Sequence, residues 1–265
     1  MLLFVSSDPR PAPSHGHVCF VYDDPAKLAA HADGFLAAGI AAGERIWYVA
    51  PVRPRALAPS ARFVSITTAY PGGRLIDPPA QVAEYAAATD RALAAGFTGL
   101  RVVAEATDLV RTPAQLAAFA RYEHLADRLI CTGAFTAMCA YDRRELGDPA
   151  IAELATMHAE TNADVPFRLH ACPPAQGSAA LTGELDLAAE DLLIRALDRA
   201  DLRPVGGEVV LHAAGLRFAD HRALVRLDDY AARRAMTVVL RAAGAAIGRL
   251  AALLDLSRLR VETIR

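Results

Sequence analysis

The chain has 265 residues; 54% are hydrophobic but only 6% aromatic, and 28 Lys+Arg against 30 Asp+Glu give a net charge of −2. That balance is too apolar and too evenly charged for a disordered chain, and not basic enough to mark a nucleic-acid binder. Lys27 is the only lysine, so any role that needs a lysine has one candidate.

The apolar run at residues 1–5 is too short for a signal-peptide core, and no window approaches the roughly 18 apolar residues of a membrane span. Cys19, Cys131, Cys139 and Cys172 are widely spaced with no CxxC, and read as reduced core thiols. A cytoplasmic protein that touches neither membrane nor nucleic acid is expected.

Residues 18–22 predict a buried strand. Apolar positions at helical spacing predict a helix over 27–42, with Gly43 where a C-cap belongs. Strands follow at 46–49 and 63–67, then an Ala-rich helix at 81–95, a strand at 100–104 and a helix at 113–129. That last helix has Thr112 as N-cap and Pro113 in its first turn. A strand at 135–140 and a helix at 149–158 close the first half. Strands alternating with helices at this spacing predict an α/β fold: a mostly parallel open sheet with helices on both faces. The polar segment ETNADVPF reads as a linker. Beyond it come strands at 167–171 and 179–185, a helix at 188–199, a strand at 208–211, a helix at 222–234, a strand at 236–240 and a helix at 245–254. Two domains are expected, 1–162 and 163–265.

VCFVY, a helix, and then GERIWYV resemble the opening of RecA-like ATPases, where a G-x-x-x-x-G-K-[ST] loop cradles phosphates. The corresponding stretch here, Tyr22 to Leu28, has no glycine and no hydroxyl after Lys27. Pro25 lacks an amide donor, and Asp23 and Asp24 would repel phosphate. ATP hydrolysis, and enzyme activity altogether, is not expected. The set HGHVCFVYDD, FLAAGIAAGERIWYV, GLRVVAEATDL, RYEHLADRL and AMCAYDRREL resembles the MEDS domain, a sensory domain first described in a dichloromethane-responsive regulator. The resemblance spans about 15–160 and implies a RecA-like fold turned to sensing small organic molecules.

In an open α/β sheet, ligands bind beyond the carboxyl ends of the strands. Tyr22, Asp23, Trp47, Tyr48, Glu105, Thr107, Tyr141 and Asp142 lie there. Tyr122 and Glu123, on the preceding helix, are placed on the same side, and His17 matches the histidine that opens the family motif. The candidate ligand-binding set is His17, Tyr22, Asp23, Trp47, Glu105, Tyr122, Glu123, Tyr141 and Asp142. The plainer reading makes the aromatics ordinary core and Asp142-Arg143-Arg144 a solvated turn. His15-x-His17-x-Cys19 would put three ligand types on one strand face. A structural zinc site wants four ligands, however, and no partner pair at the usual spacing is visible, so neither metal nor cofactor is expected. His31, His124 and His158 fall on helices and read as satisfied or exposed. No G-x-S-x-G is present.

LTGELDLAAEDLLIRALDRA, EVVLHAAGLRFADHRALVRLDDYA and MTVVLRAAGAAIGRLAALLDL resemble the STAS domain of anti-sigma-factor antagonists over about 168–257. In that family an Asp-Ser pair begins a helix, and the serine is phosphorylated by a partner kinase that is also the anti-sigma factor. Here the pair is Asp220-His221, and imidazole offers no hydroxyl to a serine kinase. Leu211-His212-Ala213-Ala214 also departs from the family's Asp-Leu-Ser, and Thr182 and Ser257 do not sit at the switch. The implied partners are an anti-sigma factor or serine-kinase-like protein, or other STAS proteins, and the resemblance leaves a homo-oligomer open. The rivals are a diverged nucleotide-binding ATPase or kinase-like protein, a haem or metal sensor, and a purely structural interaction protein.

Overall fold

The computed structural model describes residues 16–71, 75–243 and 245–264; His15 therefore lies outside the described residues. In chain order the first half has β1 (His17–Tyr22), α1 (Pro25–Ala41), β2 (Arg45–Ala50), β3 (Arg62–Ser65), α2 (Ile66–Ala69) and α3 (Pro78–Ala94). It continues with β4 (Leu100–Glu105), α4 (Pro113–Thr132), β5 (Phe135–Asp142), α5 (Arg143–Ala155) and β6 (Glu160–Thr161). The strands form one sheet in the order β3-β2-β4-β5-β1-β6, parallel throughout. Helices cover both faces. Leu28, Ala32, Phe35 and Leu36 of α1 pack on the face that carries Phe20, Tyr22 and Tyr48. Tyr85 of α3 and Phe119, Tyr122 and Ala126 of α4 pack on the face that carries Cys19, Cys139 and Tyr141. The expected parallel α/β unit is present.

Local chemistry sets the helix starts. Asp24 caps α1 by accepting from the Ala26 amide at 2.8 Å, with Pro25 in the first turn. Thr112 and Gln115 form a reciprocal capping box on α4. Asp142 caps α5, so that helix begins at Arg143 rather than at 149. It bends at Gly147, whose φ is +74°, just before Pro149. The strand expected at 63–67 stops at Ser65, where the chain turns into α2.

The second half has β7 (Phe167–His170), β8 (Ala179–Leu185), α6 (Glu190–Ala200), β9 (Glu208–Ala213), β10 (Leu216–Ala219), α7 (His221–Arg233), β11 (Thr237–Ala243), α8 (Ala246–Leu253) and β12 (Leu259–Ile264). The sheet runs β10-β8-β9-β11-β12, all parallel, with β7 antiparallel on β8. Strands β10 and β12 were not expected. Each is short or charged: in β12, Arg260 pairs with Glu208 at 2.8 Å and with Glu262 at 3.2 Å, the charged signature of a sheet edge.

The segment expected to be a linker is built into the structure. β6 pairs with β1, and the Asn162 side-chain amide donates to Val21 O at 2.8 Å and accepts from Val21 N at 2.7 Å. The two sheets keep separate cores that meet along α4, α5 and α6. Ala120 and Met157 join the second core, Leu169 N donates to Thr156 O at 2.7 Å, and Arg121 pairs with Asp201 at 3.0 Å. No described helix is long and apolar enough to cross a membrane. No disulfide joins the four cysteines, three of which are buried.

One glycine is demanded by both backbone and space. Gly183 in β8 has φ +103°, and a Cβ there would lie 2.4 Å from Pro166 O and 2.7 Å from Phe167 Cα, both backbone atoms. Gly183→Ala is expected to destabilise the chain by about 2 kcal/mol, read as a lower urea midpoint at unchanged slope. A midpoint equal to that of the parent would contradict this.

Candidate functional site

A buried polar cluster sits where β1, α4, β5 and the end of α5 converge. Glu123 and Asp127 are four residues apart on α4 and so share one helix face. Cys139 and Tyr141 alternate along β5 and share one sheet face. His17 begins β1 and His158 follows α5. All six side chains are buried. His17 lies between the two carboxylates, its Nδ1 3.2 Å from Asp127 Oδ1 and its Nε2 3.3 Å from Glu123 Oε2. His158 Nε2 is 3.6 Å from Glu123 Oε1. The Cys139 thiol donates to Glu123 Oε2 at 3.4 Å, and the Tyr141 hydroxyl donates to Glu123 Oε1.

The electrostatics follow from that geometry. Burial disfavours the charged form of His17, yet the hydrogen bond with Asp127 and the close carboxylates of Asp127 and Glu123 override it and raise its pKa to about 9. His158 moves the other way, to about 4, because burial and the neighbouring His17 cation outweigh Glu123. Burial raises both carboxyls, but the two histidines bring Glu123 below its usual range, and His17 does the same for Asp127. Burial and the Glu123 charge hold the Cys139 thiol well above its usual range. The cluster is thus an imidazolium between two carboxylates, with a neutral imidazole and a thiol beside it.

Asp127 also reaches out of the first unit. Its Oδ2 accepts from the Ala171 backbone N–H, just past β7, at 2.5 Å. One carboxylate therefore joins β1 of the first sheet to the start of the second.

The other candidates occupy three further places. On the opposite sheet face, the Tyr22 hydroxyl donates to Glu105 at 3.0 Å; the Thr107 amide donates to Glu105 at 3.3 Å, and Thr107 Oγ1 accepts from Asp142 N at 3.0 Å. Burial, then the Glu105 charge, raises the Tyr22 phenol. Asp142 is held to Arg144 at 2.6 Å, and Asp23 to Lys27 at 2.7 Å on the surface. With Asp24 capping α1, carboxylates occupy the helix start where a phosphate would sit.

Trp47 faces α3, 6.5 Å between ring centroids from Tyr85, with the Arg62 guanidinium 5.5 Å from its own ring. These residues and Val64, Thr68, Gln81 and Ala88 line a cavity of about 200 Å³. The Trp47 indole N–H is buried and has no acceptor among the described residues. Tyr122 is packed in an aromatic cluster with Tyr70, Tyr85 and Phe119. A larger cleft of about 940 Å³ lies between α3, α4 and the second unit, lined in part by Arg121, Arg128, Arg203 and Arg241.

The nine candidates therefore do not share one pocket at the strand ends. His17, Glu123 and Tyr141 converge, with Cys139, Asp127 and His158, which were not among the candidates. His158 and His124 are both buried; His158 Nδ1 is paired with the Leu154 carbonyl, whereas His124 is neither exposed nor satisfied. Neither His124 ring nitrogen makes an aligned hydrogen bond among the described residues, and burial lowers its pKa to about 4. His31 stacks on Phe20 at 4.0 Å. In the second unit, Asp220 caps α7 by accepting from the Ala223 amide at 2.8 Å, and His221 is exposed in the first turn.

A parallel open sheet without a phosphate loop, holding an internal polar cluster and a small aromatic cavity, defines the first unit as a member of the α/β class built around an interior site. The model of the MEDS family, the MEthanogen/methylotroph, DcmR Sensory domain, matches residues 16–159, and the chain belongs to that family. No curated protein and no solved structure matches the chain. The matched span runs from the residue before β1 to the residue before β6 and contains the whole polar cluster and the residues that line the Trp47 cavity.

Proposed function

We propose that the chain is a non-enzymatic signalling regulator. Its first unit senses a small organic molecule. Its second unit, which resembles the STAS domain, presents the resulting state to a partner: an anti-sigma factor with serine-kinase character or another STAS protein. The observation that carries this reading is the cavity beside Trp47. It is small, its aromatic and aliphatic walls are joined by Arg62, Thr68, Gln81, Glu84 and Arg91, and the buried indole N–H of Trp47, one of its lining residues, has no acceptor among the described residues. That suits a compact organic molecule with an apolar body and one or more polar acceptor atoms. The occupied helix start at Asp23, Asp24 and Lys27 argues against a nucleotide enzyme. The strand-to-helix order around α7 and the position of Asp220-His221 support the second half of the reading. A ligand shifts the regulator only if it binds two conformations unequally.

Trp47 is the chain's only tryptophan, so its fluorescence reports on the cavity alone. Titration with a series of short halocarbons, alcohols and ketones is expected to give a saturable change for at least one member. A series with no saturable response up to solubility would overturn the sensing assignment. For the output half, His221→Ser is expected to gain phosphorylation by a serine kinase that modifies another STAS protein of the same cell. A His221→Ser chain left unmodified by that kinase would overturn the partner assignment.

A further inference from the structure

We propose that His17, Glu123, Cys139 and His158 form a four-ligand site for a divalent metal ion of the zinc class. One ligand atom from each lies within 4.8 Å of every other, and all four residues are buried. The donor set is two imidazole nitrogens, a carboxylate oxygen and a thiolate sulfur. Around a tetrahedral zinc ion such donors sit at about 2.0–2.3 Å from the metal and hence about 3.3–3.6 Å from each other. Glu123 Oε2 already stands 3.3 Å from His17 Nε2 and 3.4 Å from Cys139 Sγ, in that range, and the remaining ligand pairs lie within 4.8 Å, close enough to draw in around an ion.

The outer contacts orient both imidazoles toward the centre. His158 Nδ1 is 2.9 Å from the Leu154 carbonyl. A carbonyl can only accept, so Nδ1 carries the proton and Nε2 presents its lone pair to the cluster. His17 Nδ1 faces Asp127 at 3.2 Å, a carboxylate–histidine arrangement that fixes the ring and raises its basicity toward a metal. Neither Nε2 makes an aligned hydrogen bond among the described residues. Two fully buried nitrogens that stand 3.3 and 3.6 Å from Glu123 oxygens without an aligned hydrogen bond are the second observation that points to an ion. The Tyr141 hydroxyl holds the remaining Glu123 oxygen. Binding exchanges the Cys139 thiol proton and the His17 Nε2 proton for a doubly charged ion, so the charge within the cluster does not change. The ligands belong to four separate elements, β1, α4, β5 and the end of α5, and the ion would tie them together. None of them lines the Trp47 cavity, so this site stands or falls independently of the sensing assignment.

The test uses the full chain, stripped with chelator and titrated with Co²⁺ and then Zn²⁺. One Co²⁺ per chain is expected, with the intense visible absorption of tetrahedral cobalt and a near-ultraviolet thiolate-to-cobalt band, both displaced by one Zn²⁺. The thiolate band should vanish in Cys139→Ser and persist in Cys172→Ser. Asp127→Asn should weaken Zn²⁺ binding about 10–100-fold. X-ray absorption of the cobalt-loaded wild-type chain is expected to show one sulfur and two imidazoles, a measurement that needs no variant to fold. Absence of a thiolate band in the wild type, its survival in Cys139→Ser, or a ligand shell of oxygens alone would each overturn the site.

Discussion

Replacing His17 with alanine is expected to cost the metal-free chain about 3–5 kcal/mol, because it leaves two buried carboxylates without their shared cation. His17 is fully buried, 3.3 Å from Glu123 and 3.2 Å from Asp127. Around Glu123, among the described residues, His158 is held neutral, and Cys139 and Tyr141 offer only a thiol and a hydroxyl; Asp127 also feels the charge of His170. The measurement is urea unfolding followed by far-ultraviolet circular dichroism, on chelator-treated protein so that metal linkage does not enter. Cost and cause separate in a second variant. Glu123→Gln removes one of the two stranded charges, so the double variant His17→Ala/Glu123→Gln should lose less than the sum of the single losses. A His17→Ala loss below about 1 kcal/mol, the usual worth of an exposed pair, would mean that the carboxylates are protonated or hydrated and that the cluster is not an ionic core.

Why the sequence reveals the sheet but not this cluster is a matter of range. Strand β1, helix α1 and strand β2 are legible because their signals are local: a buried apolar run, a helical stripe from Leu28 to Leu36, a glycine at 43. His17 and Glu123 each stand out in the sequence, but they are 106 positions apart and their contact depends on β1 pairing with β5 in the register that sets His17 opposite Ala137. Asp127 was visible in principle, one turn beyond Glu123 on the same face of α4. Cys139 was read as a core thiol and His158 as a helical residue, because neither spacing announces a ligand. The grouping of Tyr22, Trp47 and Tyr141 fails for a simpler reason. Tyr22 packs on the α1 side of the sheet, whereas Trp47 and Tyr141 lie on the α3 and α4 side. Strand alternation separates Trp47 from its neighbour Tyr48 in the same way. Edge strands β10 and β12 escaped because half-exposed, charged strands lack the apolar run by which the central strands are known.

Asp127→Ala carries the second large effect, and it tests how the two halves are joined. The carboxylate accepts from His17 on one oxygen and from the Ala171 amide on the other. Its loss removes the carboxylate acceptor of the Ala171 amide, worth about 1–3 kcal/mol, and one of the imidazolium's two partners, for a total expected near 3–4 kcal/mol. The distribution of the damage matters more than its size. If the carboxylate is the joint between the sheets, hydrogen exchange should accelerate at Ala171 and along β7 as well as at β1, although β7 belongs to the second sheet and α4 to the first. Asp127→Asn, which keeps one acceptor oxygen, should restore most of the protection at Ala171 and less of the stability tied to His17. A double-mutant cycle of His17→Ala with Asp127→Ala should give a coupling of about 1–3 kcal/mol, as for residues in one network. Acceleration confined to β1, with β7 unchanged, would show that the second unit holds its own edge and that any signal from the first must cross by the α4–α6 packing instead.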